Sequence, residues 1–200
     1  MQPPEPTRPA FGCKLTMDTL KLPLHKSQKW TAEPKYNGWR VVLDCSTGKC
    51  YSRHGTRLSQ EGMFRAAVDQ IRSMFCDELI DCEGLGKRNK IASGSMIVLD
   101  RMTDQDYRHR TDPIKLMFPE FDGTLDQLRL LENEGGLAFS CPSIDPRDTD
   151  DVSNWLTKMK AFNDEHDCIF YEGVVAKRTD TEYIYGDTDT WRKFRFTYKS

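Results

Sequence analysis

Three short motifs rich in charged residues follow one another in order along the chain, separated by long stretches. The first is residues 33–40, which include Lys35 and Gly38; the second is residues 172–177 and the third is residues 191–195. A Lys-x-Asn-Gly motif alone is weak evidence for a functional site, because chance produces it often. The same motif followed by the other two in this order is far stronger evidence. If these motifs lie on strands or strand ends, residues distant in sequence can converge on one cleft.

Length and composition are typical of a globular protein. The 200 residues suggest one domain over residues 13–200, after a Pro-rich and polar lead over residues 1–12 that we expect to be flexible. A hydrophobic content of 38% and a charged content of 30% are consistent with a buried core. The net charge of -2 gives no general attraction to nucleic acid. Any contact with nucleic acid must therefore come from local clusters of Lys and Arg.

Seven cysteines form no Cys-x-x-Cys pair, which argues against a zinc site or a disulfide framework. We expect free thiols in a reducing compartment. No apolar run approaches membrane-spanning length, and the N-terminal residues lack the apolar core of a signal peptide. These features predict an intracellular protein, cytoplasmic or nuclear, that does not associate with membranes.

Hydrophobic periodicity predicts an α+β domain in which helices flank mostly antiparallel sheets. The predicted strands are residues 39–45, 49–53, 78–83, 95–102, 137–141, 169–178 and 190–198. The predicted helices are residues 60–75 and 149–162, with short helices between residues 104 and 134, of which 124–131 is the best candidate. We expect Lys35 in a loop before the first hairpin, Glu83 at a strand end, and Lys177 and Lys193 on neighbouring strands.

The three motif lysines favour nucleophilic chemistry. A lysine amine becomes a nucleophile when nearby cations or desolvation favour its neutral form. Lys177 and Lys193, with a divalent metal ion, could do this for Lys35. The same cations would neutralise a triphosphate and its leaving pyrophosphate.

Carboxylates and arginines elsewhere in the chain suit the other parts of a nucleotide. Glu83 and Glu172 suit a ribose hydroxyl or a magnesium ion, which prefers oxygen ligands. Arg40 and Arg53 suit ribose or phosphate oxygens through forked hydrogen bonds.

With these motifs, the chain resembles the nucleotidyltransferase (adenylation) domain of ATP-dependent DNA ligases, within the superfamily shared with RNA ligases and mRNA capping enzymes. Residues 51–55, 79–84 and 97–100 resemble further motifs of that family, in the same order. The resemblance implies the nucleotidyltransferase (ATP-grasp-like ligase) fold, in which antiparallel sheets flanked by helices form a nucleotide cleft. Five residues follow Arg195, so we expect no OB-fold domain within this chain.

The resemblance also implies a reaction. Lys35 would attack the α-phosphate of ATP to form lysyl-AMP, with Lys177 and Lys193 bound to that phosphate. The AMP would pass to a 5′-phosphate end, and a 3′-hydroxyl would displace it to seal the strand. The expected partners are nicked double-stranded DNA, as in DNA repair or replication, and Mg²⁺, for which Mn²⁺ could substitute. We expect a monomer.

By the same resemblance, other residues bind the cofactor. Glu33 would accept a hydrogen bond from the adenine amine, Arg40 and Glu83 would hold the ribose, and Arg53 would contact the 5′-phosphate. The remaining assignments are adenine stacking between Leu99 and Val175, and metal binding by Glu172 and Glu83.

Three residues depart from the family pattern. Asn37 stands where DNA ligases usually have Asp, which we expect to affect strand joining more than lysine adenylation. Leu99 replaces a commonly aromatic residue, and Arg195 stands where Lys is usual. Two alternatives stay open: an ATP-dependent RNA ligase, and a degenerate, non-catalytic module that binds nucleic-acid ends. The intact motif lysines argue against the degenerate module.

Overall fold

The computed structural model describes residues 3, 5–15, 24, 28–59, 61–86, 91–102, 117–181 and 183–197. These residues form two compact units. The first unit holds the described residues of 38–141 and those before Thr7, and the second holds those of 7–37 and 142–197. That the two units act as one domain from residue 13 to 200 stays a prediction.

The first unit is built on a five-stranded sheet with the order β4-β3-β5-β6-β7. The strands are β3 (Trp39–Asp44), β4 (Lys49–Ser52), β5 (Leu79–Gly84), β6 (Met96–Arg101) and β7 (Ala138–Ser140). The pairs are antiparallel except for β6 and β7, which are parallel. The predicted hairpin is confirmed, because β3 and β4 pair across a turn in which Gly48 has a φ of 70°.

A helix covers one face of this sheet. Helix α1 (Arg65–Met74) follows a 3₁₀ turn at Glu61–Phe64, and a second helix, α2 (Leu125–Glu134), precedes β7. The helical segment and the residue after it contribute to the core Phe64, Ala67, Val68, Ile71 and Phe75. The sheet contributes Val41, Leu43, Ile80, Cys82, Met96 and Val98. The predicted helix over residues 60–75 is therefore right in its buried face, although its first turn is the tighter 3₁₀ form.

The second unit is built on a four-stranded sheet with the order β1-β9-β8-β2. The strands are β1 (Arg8–Leu15), β2 (Trp30–Tyr36), β8 (Tyr171–Arg178) and β9 (Asp187–Phe196). Helix α3 (Thr149–Glu165) comes directly before β8 in the chain. Strand β8 is antiparallel to both neighbours, whereas β1 runs parallel to β9. The predicted strand and helix order at the C-terminal end is confirmed.

Helix α3 fixes the start of β8. Its N-terminus is capped by Asp148, whose side chain accepts hydrogen bonds from the backbone N–H groups of the second and third residues that follow. Near its other end, the buried Asn163 accepts from the N–H groups of Phe170 and Tyr171, both at 2.9 Å, and donates to the Tyr171 carbonyl at 2.8 Å. A buried amide with these partners sets the position at which β8 begins.

Two expectations differ from the structure. The expected flexible lead extends to residue 12, whereas in the structure residues 8–12 belong to strand β1. Pairing with β9 supplies the hydrogen bonds that this short segment with Pro and Gly lacks alone. Lys35 lies in β2 and not in a loop, directly opposite Gly173 of β8. Strand β2 is the last in the order of its sheet, where Pro34 is tolerated.

Residues 104–116, the first part of the region where short helices were expected, lie outside the described residues. The best candidate beyond it, residues 124–131, is confirmed as α2. Within the part of the chain that the structure describes, no helix is both long and apolar enough to cross a membrane.

Candidate active site

Six of the predicted site residues lie on β2, β8 and β9 of the second unit. Because directly paired residues point to the same face of a sheet, the register gives three rows across these strands. The rows are Thr31–Lys177–Trp191, then Glu33–Val175–Lys193, then Lys35–Gly173–Arg195. The structure therefore brings the lysines of all three motifs onto one face, which we call the site face.

A β-bulge adds Glu172 to the site face. The β2–β8 ladder pairs Lys35 with Gly173 and Tyr36 with Tyr171, so Glu172 is the extra residue between these pairs. Gly173 has a φ of 148°, a conformation that L side chains rarely adopt. A bulge turns the extra side chain out of strict alternation, and here it directs Glu172 toward Lys35.

Glu172 binds two cations from the neighbouring strands. Its Oε2 accepts a hydrogen bond from Nζ of Lys35 and lies 3.3 Å from a guanidinium nitrogen of Arg195. The side chains of Lys35 and Glu172 are only 19% and 24% exposed. The candidate nucleophile is thus held at a partly desolvated position beside a carboxylate that could accept its proton.

A second ion pair on the site face is almost completely buried. Nζ of Lys177 lies 2.6 Å from Oε2 of Glu33, and these side chains are 4% and 2% exposed. The resemblance assigns Glu33 to the adenine amine and Lys177 to the α-phosphate, whereas in the structure the two side chains contact each other. Charges this deeply buried require a partner, because an unpaired one would carry a large desolvation cost.

Val175 and Lys193 complete the middle row of the site face. Both are partly exposed, and Val175 lies between Glu33 and Lys193 in the sheet. The prediction that Lys177 and Lys193 lie on neighbouring strands is confirmed.

The other four predicted residues belong to the first unit, where Arg40 lies opposite Glu83 in the β3–β5 ladder. Oε1 of Glu83 accepts the backbone N–H of Gly38 at 2.8 Å. A Cβ at Gly38 would lie 2.6 Å from Cγ of Glu83 and 2.6 Å from the Gly84 carbonyl oxygen. Glycine at position 38 therefore allows the close approach of β5.

Asp81 is a site residue that sequence reasoning missed. The guanidinium of Arg40 donates to both carboxylate oxygens of Asp81, which is fully buried. The available signal was the spacing, since Asp81 and Glu83 are two residues apart in a strand and so share a face, with Arg40 opposite. This fork fixes the plane of the Arg40 guanidinium.

Arg53 and Leu99 lie apart from this pair within the first unit. Arg53 is exposed in the turn after β4, and its Nε donates to Nε2 of His54 at 3.0 Å. Leu99 is buried in β6 beside the register shift between Asp81 and Cys82. Because Leu99 and Val175 belong to different units, their predicted adenine sandwich stays a prediction, as does the nucleotide cleft.

The described residues contain no group of three His, Cys, Asp or Glu side chains that could hold a metal ion by themselves. Magnesium, however, is commonly bound by one or two carboxylates together with substrate phosphates and water. Glu172 and Glu83 are both partly exposed, and one oxygen of each accepts a hydrogen bond, from Lys35 and from the Gly38 N–H respectively. Binding of a metal ion by either carboxylate stays a prediction.

Comparison with known proteins identifies the fold. No protein-family model and no curated protein sequence matches the chain. Among solved structures, the Chlorella virus DNA ligase-adenylate matches with a TM-score of 0.54 and 15% identity, over 94% of this chain and 67% of that one. The ligase domain of M. tuberculosis LigD matches with a TM-score of 0.49 and 16% identity, over 96% of this chain and 59% of that one. An archaeal ATP-dependent RNA ligase matches with a TM-score of 0.48 and 15% identity, over 94% of this chain and 48% of that one.

The chain thus spans about three fifths of the M. tuberculosis ligase domain and two thirds of the Chlorella virus structure. The fold is that of ligase nucleotidyltransferase domains, as the ordered motifs predicted.

Proposed function

We propose that this chain is the adenylation domain of an ATP-dependent polynucleotide ligase and that Lys35 forms a covalent lysyl-AMP. The observation that carries the proposal is the contact between Nζ of Lys35 and Glu172, made across the bulge at Gly173. The ligase fold supports it, and one solved structure with this fold is a ligase-adenylate. The partly buried lysine, its adjacent carboxylate and the cations on the same face fit phosphoryl-type transfer.

In the first step, the lone pair of Lys35 Nζ forms a bond to the α-phosphorus of ATP. The bond from that phosphorus to the oxygen that bridges to the β-phosphate breaks, and pyrophosphate leaves with the electron pair. The protons lost from Nζ pass to Oε2 of Glu172 and from there to water. Lys177 and Lys193 contribute positive charge to the same face, where it offsets charge on the phosphates.

A bound Mg²⁺ or Mn²⁺ would supply positive charge at the phosphates and could use Glu172 as one oxygen ligand. A cation beside Glu172 would make it a weaker proton acceptor, so Glu172 would have to take the Lys35 proton before it binds the ion. Arg195 already lies beside the same carboxylate. Glu172 would therefore serve first as the partner of Lys35 and then as a ligand.

In the later steps, the AMP passes to a 5′-phosphate end and a 3′-hydroxyl displaces it, which seals the strand. We propose nicked double-stranded DNA as the substrate, in a repair or replication context, and an RNA ligase as the alternative. The two are separated by comparing nicked DNA with nicked RNA of the same sequence, each with the same pre-adenylated protein. Faster joining of the RNA would reverse the preference.

The first step is tested by measuring the intact mass of the protein before and after incubation with ATP and magnesium. We expect a gain of about 329 Da, the mass of AMP less water, which hydroxylamine or acid removes as expected for a phosphoramidate. Lys35→Ala should show no gain, whereas Lys160→Ala, at an exposed position of α3, should behave as wild type.

Adenylation of the Lys35→Ala protein would refute the assignment of the nucleophile. A wild-type protein that neither gains AMP nor carries it at purification, yet still binds nicked ends, would favour the degenerate module. Under that alternative, Lys35→Ala should leave end binding unchanged.

A further inference from the structure

Lys177 has a second contact besides its ion pair, with an aromatic ring on the next strand. Its Nζ lies 4.1 Å from the centroid of the Trp191 ring, and the two residues are direct partners in the β8–β9 ladder. Trp191 is 1% exposed and Lys177 is 3% exposed. An ammonium at this distance from an indole face makes a cation–π interaction, which is strongest when both groups are desolvated.

Other residues hold the Trp191 ring in place. Tyr183 packs edge-to-face against Trp191 with ring centroids 5.8 Å apart. The Tyr183 hydroxyl accepts the backbone N–H of Thr7 at 2.9 Å, just before β1. The indole is thus fixed by the strand pairing beneath it and by a ring tied to the N-terminal segment, and it offers Lys177 a rigid surface.

This contact matters most if Glu33 exchanges partners. A buried ammonium is costly unless something compensates it, and Glu33 does so in the structure. If Glu33 turns to the adenine amine when nucleotide binds, as the family resemblance implies, Lys177 loses part of that compensation while it has to stay close to the α-phosphate. The indole face can supply compensation throughout, because it does not depend on Glu33.

We propose that Trp191 is a positioning residue for the adenylation step, which holds the Lys177 ammonium at the α-phosphate while Glu33 contacts the base. The inference rests on the proposed lysyl-AMP function. Trp191 then does more than fill the core. The π face of its indole, and not only the volume of the side chain, affects the adenylation rate.

The test compares Trp191→Leu, Trp191→Phe and Phe194→Leu in single-turnover adenylation with ATP and magnesium. Phe194 is the matched control, since it is fully buried on the same strand but points to the opposite face. We expect Trp191→Leu to lower the rate constant at saturating ATP on the order of tenfold, with a smaller change in KM, because the α-phosphate gains charge in the transition state. Trp191→Phe should be slower than wild type by about threefold, since a benzene ring keeps a π face, but a weaker one.

Phe194→Leu should lower stability, measured by urea unfolding, and leave the rate constant of the folded protein unchanged. A Trp191→Leu protein with the wild-type rate constant would overturn the inference, as would equal losses in the Phe and Leu variants. If Trp191→Leu does not fold, Trp191→Phe decides alone: about threefold slower adenylation supports the inference, and the wild-type rate overturns it. Wild-type protein that fails to adenylate overturns the proposed function itself, which distinguishes the two failures.

Discussion

Gly173 lies directly opposite Lys35 in the β2–β8 ladder, and a Cβ at Gly173 would lie 2.0 Å from the carbonyl oxygen of Phe194. That oxygen belongs to the backbone of β9, so it cannot move aside as a flexible side chain would. The absence of a side chain at residue 173 is therefore what allows three strands to close around the bulge that carries Glu172.

We predict that Gly173→Ala abolishes lysine adenylation and destabilises the protein. The strained φ alone costs roughly 1–3 kcal/mol, and the backbone clash adds to it. Urea unfolding and the intact-mass assay measure the two effects. Gly62→Ala is the control, because a Cβ there has nothing within 4 Å and should change neither quantity. Normal adenylation by Gly173→Ala would show that the bulge is not what positions Glu172.

In the first unit, we predict that Asp81→Asn destabilises the protein by about 3 kcal/mol, the cost of leaving a largely buried charge without its partner. Asp81 is fully buried and pairs with Arg40, whose side chain is 18% exposed. Under the proposed function, KM for ATP should also rise, because Arg40 would lose the orientation that it needs to hold the ribose.

Asp145→Asn provides the comparison. Asp145 pairs with Arg147 at 2.6 Å, but both side chains are about half exposed. Solvent screens such a pair, so we expect a loss below about 1 kcal/mol in urea unfolding. Equal losses at both sites would contradict the structural role that burial gives to Asp81.

The thiols give a prediction about pH. Burial raises the pKa of Cys45 from 9.0 to about 12, with nearby Glu78 and Asp44 adding to the effect, and burial also raises the pKa of Cys82. Because the folded pKa is the higher one, the stability from these thiols is complete below pH 9 and is lost as the pH rises toward 12.

Thiol labelling at pH 8 tests the burial of these thiols, which is the cause of their raised pKa. The exposed Cys76 should react first, whereas Cys45 and Cys82 should react only after urea unfolding, as located by peptide mass mapping. Rapid labelling of Cys82 in the folded protein would contradict its burial. The six cysteines whose side chains the structure describes form no disulfide with one another.

Local sequence patterns predicted the elements whose signal is local. The β3–β4 hairpin has its own turn residues, and α1 and α3 each have helical spacing or an acidic first turn. Motif order predicted the ligase fold, and the structure places six of the ten predicted site residues on the site face. The roles of these residues stay predictions.

What the sequence did not reveal depends on contacts between distant segments. Strand β1 forms through pairing with β9. Likewise, the Asp81 carboxylate gains its role from Arg40 on another strand, and Lys35 becomes a strand residue through Gly173. No local pattern encodes a partner that lies tens of residues away.

Asn37 gives the last prediction, because the structure uses its amide as a donor. Its backbone N–H donates to the Phe170 carbonyl at 2.9 Å, and its Nδ2 donates to the Ile169 carbonyl at 2.8 Å. These bonds fasten the end of β2 to the segment that leads into β8, close to Lys35 and Glu172. An aspartate at neutral pH has no side-chain donor and would set a carboxylate against the Ile169 oxygen.

We therefore predict that Asn37→Asp lowers stability by about 1 kcal/mol and does not speed lysyl-AMP formation, although it restores the usual ligase motif. Asn37→Ala loses the bond without adding charge, so its loss should be smaller. The aspartate variant should approach wild-type stability as the pH falls below about 4, since a protonated carboxyl can donate again. Urea unfolding at pH 7 and pH 4 measures this, and an aspartate variant that is as stable as wild type at pH 7 and adenylates faster would show that the Ile169 bond does not position the nucleophile.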